Sequence, residues 1–141
     1  MSPPPRTTFD PLGGLTAIVL PGLGHALTGH WKRGGLIFLG VMGLFLGGIF
    51  IGGIDVIDRK NDFWWFVLQA GVGPLAFVAD SIHQNLVSQG ADPMRQSLGH
   101  VNEVGSLFAG MAGLVNLIAI IDAAWPVDSE QPAAPGAEAR A

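Results

Sequence analysis

Apolar residues along the chain form long runs separated by short polar turns. The longest run, residues 34–54, contains 21 residues and no polar side chain. As a helix it measures about 30 Å, which matches the hydrocarbon core of a bilayer. Residues 104–121 form a second long run, interrupted only by Ser106 and Asn116. Both runs predict helices that cross a membrane.

A third apolar run begins with four aromatic residues at Phe63 and is interrupted by Gln69. Aromatic residues are enriched where a membrane helix meets water, and Pro74 should bend the helix rather than end it. We therefore predict a third span over residues 63–87, and we expect Gln69 and Asn116 to form hydrogen bonds between helices.

The first apolar element lies between residues 11 and 31. Asp10 followed by Pro11 is a helix start, with Asp as the N-cap and Pro in the first turn. Residues 21–24, with the sequence PGLG, should kink or break this helix. The pattern leaves two alternatives open: a short, kinked span, or a half-membrane segment that enters and returns.

Together these elements predict an all-α membrane protein with four hydrophobic helices. Three are full transmembrane helices, and the N-terminal helix is short or kinked. The predicted transmembrane domain covers residues 11–125, with disordered segments on either side. The predicted ranges are 1–10 (disordered), 11–31, 34–54, 63–87 and 103–125 (helices), and 126–141 (disordered).

The composition agrees with this fold class and excludes several kinds of site. Hydrophobic residues make up 49% of the chain and charged residues 13%, about half the usual share in soluble domains. The chain has no cysteine, which excludes disulfides, thiolate catalysis and cysteine ligands. A net charge of −4 argues against nucleic acid as a partner.

Eight glycines lie within residues 34–54, and glycine weakens a helix that packs against nothing. Small residues spaced four apart allow two membrane helices to approach closely. We therefore predict helix packing through small-residue faces, within the chain or between copies. The predicted packing residues are Gly40, Gly43, Gly47, Gly48 and Gly52, with a facing stripe at Gly105, Ala109 and Gly113.

Three spans in series would decide which loops share a side of the membrane. Counting positive residues, we place the Lys32–Arg33 turn and residues 88–102 on the cytoplasmic side of the cell (inner) membrane. The turn at residues 55–62 and the C-terminal tail would lie outside. Trp64, Trp65 and Trp125 would then share the outer interface.

The same scheme gathers most ionisable side chains of the helix ends on one side. The predicted polar cluster comprises His25, His30, Lys32, Arg33, Asp80, His83, His100 and Glu103. Its plainest interpretation is hydrogen bonding and positive-inside anchoring at a wet interface. Metal ligation and recognition of a lipid phosphate or another anion are the alternatives. No catalytic, cofactor or metal site is assigned, because the spacings match no ligand or nucleophile signature.

Residues 21–34, with the sequence PGLGHALTGHWKRG, resemble a motif of small bacterial membrane proteins of the form PGxGHx₃Gx₃RG. This motif is distantly similar to that of the TM2-like proteins. Residues 99–122 resemble a block of one such family of unknown function. The resemblance implies a multipass membrane protein and implies no activity.

Three functions remain open on the sequence. The leading hypothesis is a structural or accessory protein that assembles through its glycine faces, as a homo-oligomer or within a larger membrane complex. The second is a small transport or lipid-handling protein that uses the polar cluster, and the third is a metal-dependent membrane enzyme. We favour a protein without enzymatic activity, whose partners are the lipid bilayer and other membrane helices.

Overall fold

The computed structural model describes residues 8–90 and 100–126, and every regular element in these ranges is helical. Most of the two predicted disordered segments and residues 91–99 lie outside the described residues. The α-helices are α1 (Pro11–Val19), α2 (Leu23–Leu27), α3 (Trp31–Gly52), α4 (Phe63–Gln69), α5 (Pro74–Ser88) and α6 (His100–Ala124). Short 3₁₀ turns cover Ile54–Val56 and Ala70–Val72.

Helices α3 and α6 form an antiparallel pair at the centre of the molecule. They are the two helices, within the described ranges, that are long and apolar enough to cross a membrane. Arg33 at the start of α3 contacts Asp122 near the end of α6, and Gly52 lies beside Asn102 at the other end. We call these the Arg33 end and the Asp58 end. The second name comes from Asp58, which lies in the turn between α3 and α4.

Helix α1 enters from the Arg33 end and reaches only half the depth of the pair. Its N-cap is Asp10, as predicted, and the Asp10 carboxylate accepts hydrogen bonds from the N–H groups of Leu12 and Gly13, each 3.1 Å long. Nine residues rise only about 14 Å. The Asp10 N–H donates to the Ala124 carbonyl oxygen at 2.8 Å, which places the start of α1 beside the end of α6.

The chain then turns back toward the Arg33 end. Leu20 is extended, which ends α1, and Gly22 adopts φ +79°, a conformation that favours glycine. Helix α2 returns against α1, with Gly24 packed on the Gly13 backbone. Of the two alternatives for residues 11–31, the arrangement is therefore that of a half-depth segment which enters and returns.

The prediction of a third span over residues 63–87 is wrong. Helix α4 ends after seven residues, and a 3₁₀ turn follows it. Gly73 comes next with φ +98°, and Pro74 then starts α5. The rings of Phe66 and Phe77 meet edge to face at 5.2 Å, so α5 folds back along α4. The apolar residues of α4, the 3₁₀ turn and α5 together are about as many as a span requires. Gly73 has a positive φ and Pro74 lacks the N–H that would continue the helix, so the segment folds as a hairpin instead.

The two hairpins meet inside the molecule. Gly73, at the tip of the α4–α5 hairpin, touches the carbonyl of Ile18 in the last turn of α1. The Asn116 side-chain amide of α6 donates to the Gly71 carbonyl oxygen at 2.9 Å, and the Gln69 amide donates to the Val56 carbonyl at 2.9 Å. The molecule thus consists of two halves with one plan, a half-depth hairpin followed by a long helix, running in opposite directions.

Backbone contact through small residues holds α3 against α6. A Cβ atom on Gly48 would lie 2.6 Å from the Gly105 carbonyl oxygen and 2.9 Å from the Ala109 nitrogen. Gly113 packs equally closely on the backbone of α4 at Leu68. Apolar side chains fill the remaining core, including Val41, Phe45, Phe66, Val72 and Ala112.

The helix ends are grouped differently from the predicted grouping of the loops. Because α4 and α5 form a hairpin, α6 ends beside the start of α3, and Trp125 and Pro126 lie at the Arg33 end rather than with the turn at residues 55–62. Residues 88 and 100 likewise flank their connection at the Asp58 end. Trp125 therefore lies at the end of the molecule where Trp31 lies, away from Trp64 and Trp65 in the first turn of α4.

Candidate functional site

Three residues from distant parts of the chain meet at the Arg33 end. The His25 Nε2 atom lies 2.6 Å from an Asp122 carboxylate oxygen, and the Arg33 Nη2 atom lies 2.7 Å from the same oxygen. His25 is buried, with 4% of its surface exposed, whereas Arg33 and Asp122 face partly outward. We call this group the Asp122 clasp, because it joins α2 and α3 to α6.

Glycines in the PGLGH segment allow the clasp to form. Gly22 and Gly34 touch backbone to backbone, since a Cβ on Gly34 would lie 2.5 Å from the Gly22 carbonyl oxygen. Gly24 packs between Gly13 and the Ala123 side chain. Larger residues at these positions would push α2 away from α6, and His25 would then be separated from Asp122.

The contacts of the clasp hold α2 and α3 against α6 and orient the His25 imidazole toward the Asp122 carboxylate. A histidine–aspartate pair needs a nucleophile to form a hydrolytic site. The neighbouring Thr28 hydroxyl donates instead to the carbonyl oxygens of Gly24 and His25, at 3.2 and 3.0 Å. Among the described residues, no group of three or more His, Asp or Glu side chains is arranged to hold a metal ion.

A second polar cluster lies at the Asp58 end and fastens α5 to the turn after α3. The Asp58 carboxylate accepts hydrogen bonds from the Lys60 N–H at 2.8 Å and from the Gln84 amide at 3.0 Å, and His83 Nε2 lies 3.5 Å from it. The buried Asp80 accepts the Arg59 N–H at 3.0 Å.

These bonds decide the charge state of Asp58. Burial by itself raises the pKa of the Asp58 carboxyl, but hydrogen bonds from Asn61 and Lys60 and the nearby His83 lower it by more. The net pKa lies below the ordinary value of 3.8. Asp58 is therefore ionised at neutral pH, and this charge holds the turn.

Two cavities lie beside the clasp at the start of α3. The larger, of about 400 Å³, is open and lined by residues 29–33, which include Lys32 and Arg33. The second, of about 240 Å³, is an apolar groove between α2 and α3. Trp31 lines both, so the cationic cavity and the apolar groove adjoin each other.

A comparison of the sequence with models of protein families identifies the family of this chain. The family of unknown function DUF6677 matches residues 12–135, which is most of the sequence. The chain belongs to DUF6677. No curated protein and no solved structure matches it.

In this DUF6677 protein the predicted polar cluster is divided between the two ends of the molecule. One group of its members lies on α2 and the start of α3, and the other lies on α5 and the start of α6. The first group is His25, His30, Lys32 and Arg33; the second is Asp80, His83, His100 and Glu103. The division separates the residues that the transport or lipid-handling hypothesis and the metal-enzyme hypothesis placed at one site.

Sequence reasoning did not select Asp122, the carboxylate of the clasp that contacts both His25 and Arg33. It is the only formally charged residue between positions 104 and 125, and an ionisable side chain at the end of an apolar helix indicates a partner. In this DUF6677 chain, Asp122 ends the second block that resembled a known family, whereas His25 and Arg33 belong to the first. The clasp is where the two blocks meet.

Proposed function

We propose that this protein is an integral membrane protein with a structural role, and that it assembles with a second copy of itself through the outer face of α3. The outer face is defined by Gly40, Gly43 and Gly47. The proposal has two parts: placement of the molecule in a bilayer, and pairing of copies within it.

The surface of the two long helices supports placement in a bilayer. Leu36, Phe50 and Ile118 expose 72%, 87% and 68% of their surface, and they belong to a wider set of exposed apolar side chains on α3 and α6. A water-soluble monomer rarely exposes apolar surface on this scale, whereas lipid chains cover it at no cost. Tryptophans near both ends of the molecule match the two interfaces of a bilayer.

The observation that carries the pairing is a difference between two glycine faces of α3. Gly48 and Gly52 are packed against α6. By contrast, a Cβ atom on Gly40, Gly43 or Gly47 would have no neighbour within 4 Å among the described residues. Each helical glycine costs about 1 kcal/mol relative to alanine, so three glycines facing outward lower stability without any contact in the monomer.

The chemistry of the outer face favours a second copy as its occupant. The run from residue 34 to residue 54 contains no polar side chain, so the face offers no charge or hydrogen-bonding group that would select a different partner. Gly43 and Gly47 form a GxxxG pair, which lets two identical helices cross with their backbones in contact. A two-fold axis makes such a contact self-complementary.

The test is the association of the protein in lipid vesicles, measured by energy transfer between donor-labelled and acceptor-labelled copies. The double variant Gly43→Leu/Gly47→Leu places bulk where two backbones would meet, and the open space around both positions leaves the monomer fold intact. We expect association to weaken at least tenfold, about 1.4 kcal/mol.

The matched control is Ile118→Phe, which adds bulk at an exposed apolar position on α6, away from the outer face. It should associate like the unmodified protein. Equal association of the double variant and the unmodified chain would overturn the pairing, as would an unmodified chain that remains monomeric at all protein-to-lipid ratios.

A further inference from the structure

The cationic cavity and the apolar groove at the start of α3 together have the two parts of a lipid-binding site. The cavity is lined by His30, Lys32 and Arg33, among others. The groove is lined by apolar residues of the α1–α2 turn, α2 and α3, among them Leu20, Leu23 and Phe38. Trp31 lies where the two meet. The two parts therefore differ in chemistry over a short distance, as a phospholipid does.

The charges around the cavity are unequally engaged. Arg33 is bound to Asp122, and Asp122 is also bound to His25, so this carboxylate is directed into the clasp. Lys32 is exposed and makes no ion pair with any residue in the described ranges. Lys32 is thus left as a positive charge available to a ligand at the mouth of the groove.

The groove is shaped by the absence of side chains. Gly35 belongs to its lining and exposes the backbone of α3 beside Phe38, whereas the neighbouring Gly34 is packed on Gly22 at the floor of the groove. A Cβ atom on Gly35 would have no neighbour within 4 Å. An open apolar groove of about 240 Å³ beside this helix can hold part of a hydrocarbon chain.

We propose that an anionic glycerophospholipid occupies this site, with its phosphate at Lys32 and Arg33 and one acyl chain in the groove beside Phe38. Charge complementarity selects the anionic class, because the ammonium of a zwitterionic headgroup would lie against Lys32, whose charge no carboxylate of the described residues pairs with. Each basic residue near the surface contributes about 1 kcal/mol toward an anionic lipid. The inference rests on the bilayer placement proposed above and is independent of the pairing of copies.

Native mass spectrometry of the protein in mild detergent tests the site. The probes are 1-palmitoyl-2-oleoyl-phosphatidylglycerol and the phosphatidylcholine with the same acyl chains. We expect one phosphatidylglycerol molecule to bind about fivefold more tightly than phosphatidylcholine, the factor that corresponds to about 1 kcal/mol.

Two variants separate the headgroup from the acyl chain. Lys32→Gln should lower the affinity for phosphatidylglycerol about fivefold and leave that for phosphatidylcholine unchanged. Gly35→Phe places a ring in the open groove and should lower the affinity for both lipids. Circular dichroism and thermal unfolding establish that each variant keeps its fold.

Lys60→Gln is the matched control, since Lys60 is an exposed lysine at the Asp58 end that makes no ion pair with the described residues. It should bind both lipids like the unmodified protein. The double variant Gly43→Leu/Gly47→Leu should also keep the lipid, which separates failure of this site from failure of the pairing. Soluble glycerol phosphate should not displace the lipid.

Three results would each overturn the site. The first is equal affinity for the two lipids in the unmodified chain. The second is a loss of affinity for phosphatidylglycerol in Lys60→Gln as large as that in Lys32→Gln, which would show that the lipid is attracted to any exposed positive charge. The third is displacement by glycerol phosphate, which would assign the cavity to a free phosphate compound rather than a lipid.

Discussion

Asp58 is the residue that fixes the second hairpin to the turn after α3. One of its carboxylate oxygens accepts hydrogen bonds from the Lys60 and Asn61 N–H groups and from the Gln84 amide on α5, and the other accepts one from the Asn61 side-chain amide. Buried carboxylates of this kind are stabilised by backbone N–H donors, and removing such an acceptor leaves those donors unsatisfied. The turn and α5 therefore depend on the ionised form of a single side chain.

This dependence predicts a pH effect. The pKa of Asp58 is lower in the folded chain than its ordinary value of 3.8, so the stabilisation is present above that value and is lost as the pH falls through the folded pKa. Asp58→Asn should lower the free energy of unfolding at pH 7 by about 1–3 kcal/mol and flatten the loss of stability below pH 4. Thermal unfolding in detergent across this pH range measures both effects.

Asp62→Asn is the control for the pH experiment. Asp62 is exposed in the same turn and, although it precedes α4, its side chain makes no capping hydrogen bond. The variant should keep the stability and the acid dependence of the unmodified chain. An Asp58→Asn protein with an unchanged acid profile would show that this carboxylate does not hold the turn.

Single residues were predictable from the sequence where local chemistry decides them. Asp10 was recognised as an N-cap because a capping carboxylate and a first-turn proline are local signals. Asp80 and His83 were predicted as polar residues of a helix end, but their partners were not predictable. Contacts such as His25 with Asp122 depend on how the chain returns, which no local pattern determines.

At the scale of elements, the two glycine faces of α3 have opposite surroundings and should respond oppositely to the same substitution. Gly48→Ala forces a methyl group within 2.6 Å of the Gly105 carbonyl oxygen. We expect it to destabilise the α3–α6 pair by about 1–3 kcal/mol, because neither backbone can move away without losing other contacts.

Gly40→Ala provides the comparison on the same helix. Its methyl group has open space, and alanine favours the helix by up to about 1 kcal/mol. Unfolding of the monomer in dilute detergent should show no loss of stability for this variant. Equal effects of the two substitutions would mean that α3 and α6 do not approach through Gly48.

The long helices were predictable as elements, because 18 or more apolar residues without charge have few alternatives to a helix that crosses a membrane. The second hairpin was not. Its apolar content resembles that of a span, and a 3₁₀ turn followed by Gly73, in a conformation that favours glycine, separates α4 from α5. A proline at position 74 indicates either a bend or a new helix start, and tertiary packing selects the second.

At the scale of the molecule, the chain is two halves of one plan that run in opposite directions. Each half contributes a half-depth hairpin and one long helix, and the hairpins approach each other where Gly73 touches the end of α1. Related arrangements of inverted repeats with broken helices are known in membrane proteins, where backbone at half depth is tolerated because it is covered by protein. This plan also places tryptophans at both ends of the molecule, with Trp31 and Trp125 at the Arg33 end and Trp64 and Trp65 toward the Asp58 end.

The plan also changes where the polar residues act. With two long helices and two hairpins, His25 and Asp122 clasp one end and His83 and Asp58 fasten the other, so each hairpin is held by a histidine–aspartate contact to the other half. Such paired contacts suit a structural protein that keeps its hairpins in place. They also leave the outer face of α3 free to meet a second copy.

Cysteine labelling in sealed vesicles tests the two-crossing plan most directly, and the chain is suited to it because it has no native cysteine. Single cysteines at His30, Lys60, Gln89 and Pro126 are treated with an impermeant thiol reagent. The plan predicts that positions 60 and 89 react from one compartment, and that positions 30 and 126 react from the other. Reaction of position 89 from the same side as position 30, with position 126 accessible from the side of position 60, would contradict it and restore a third crossing.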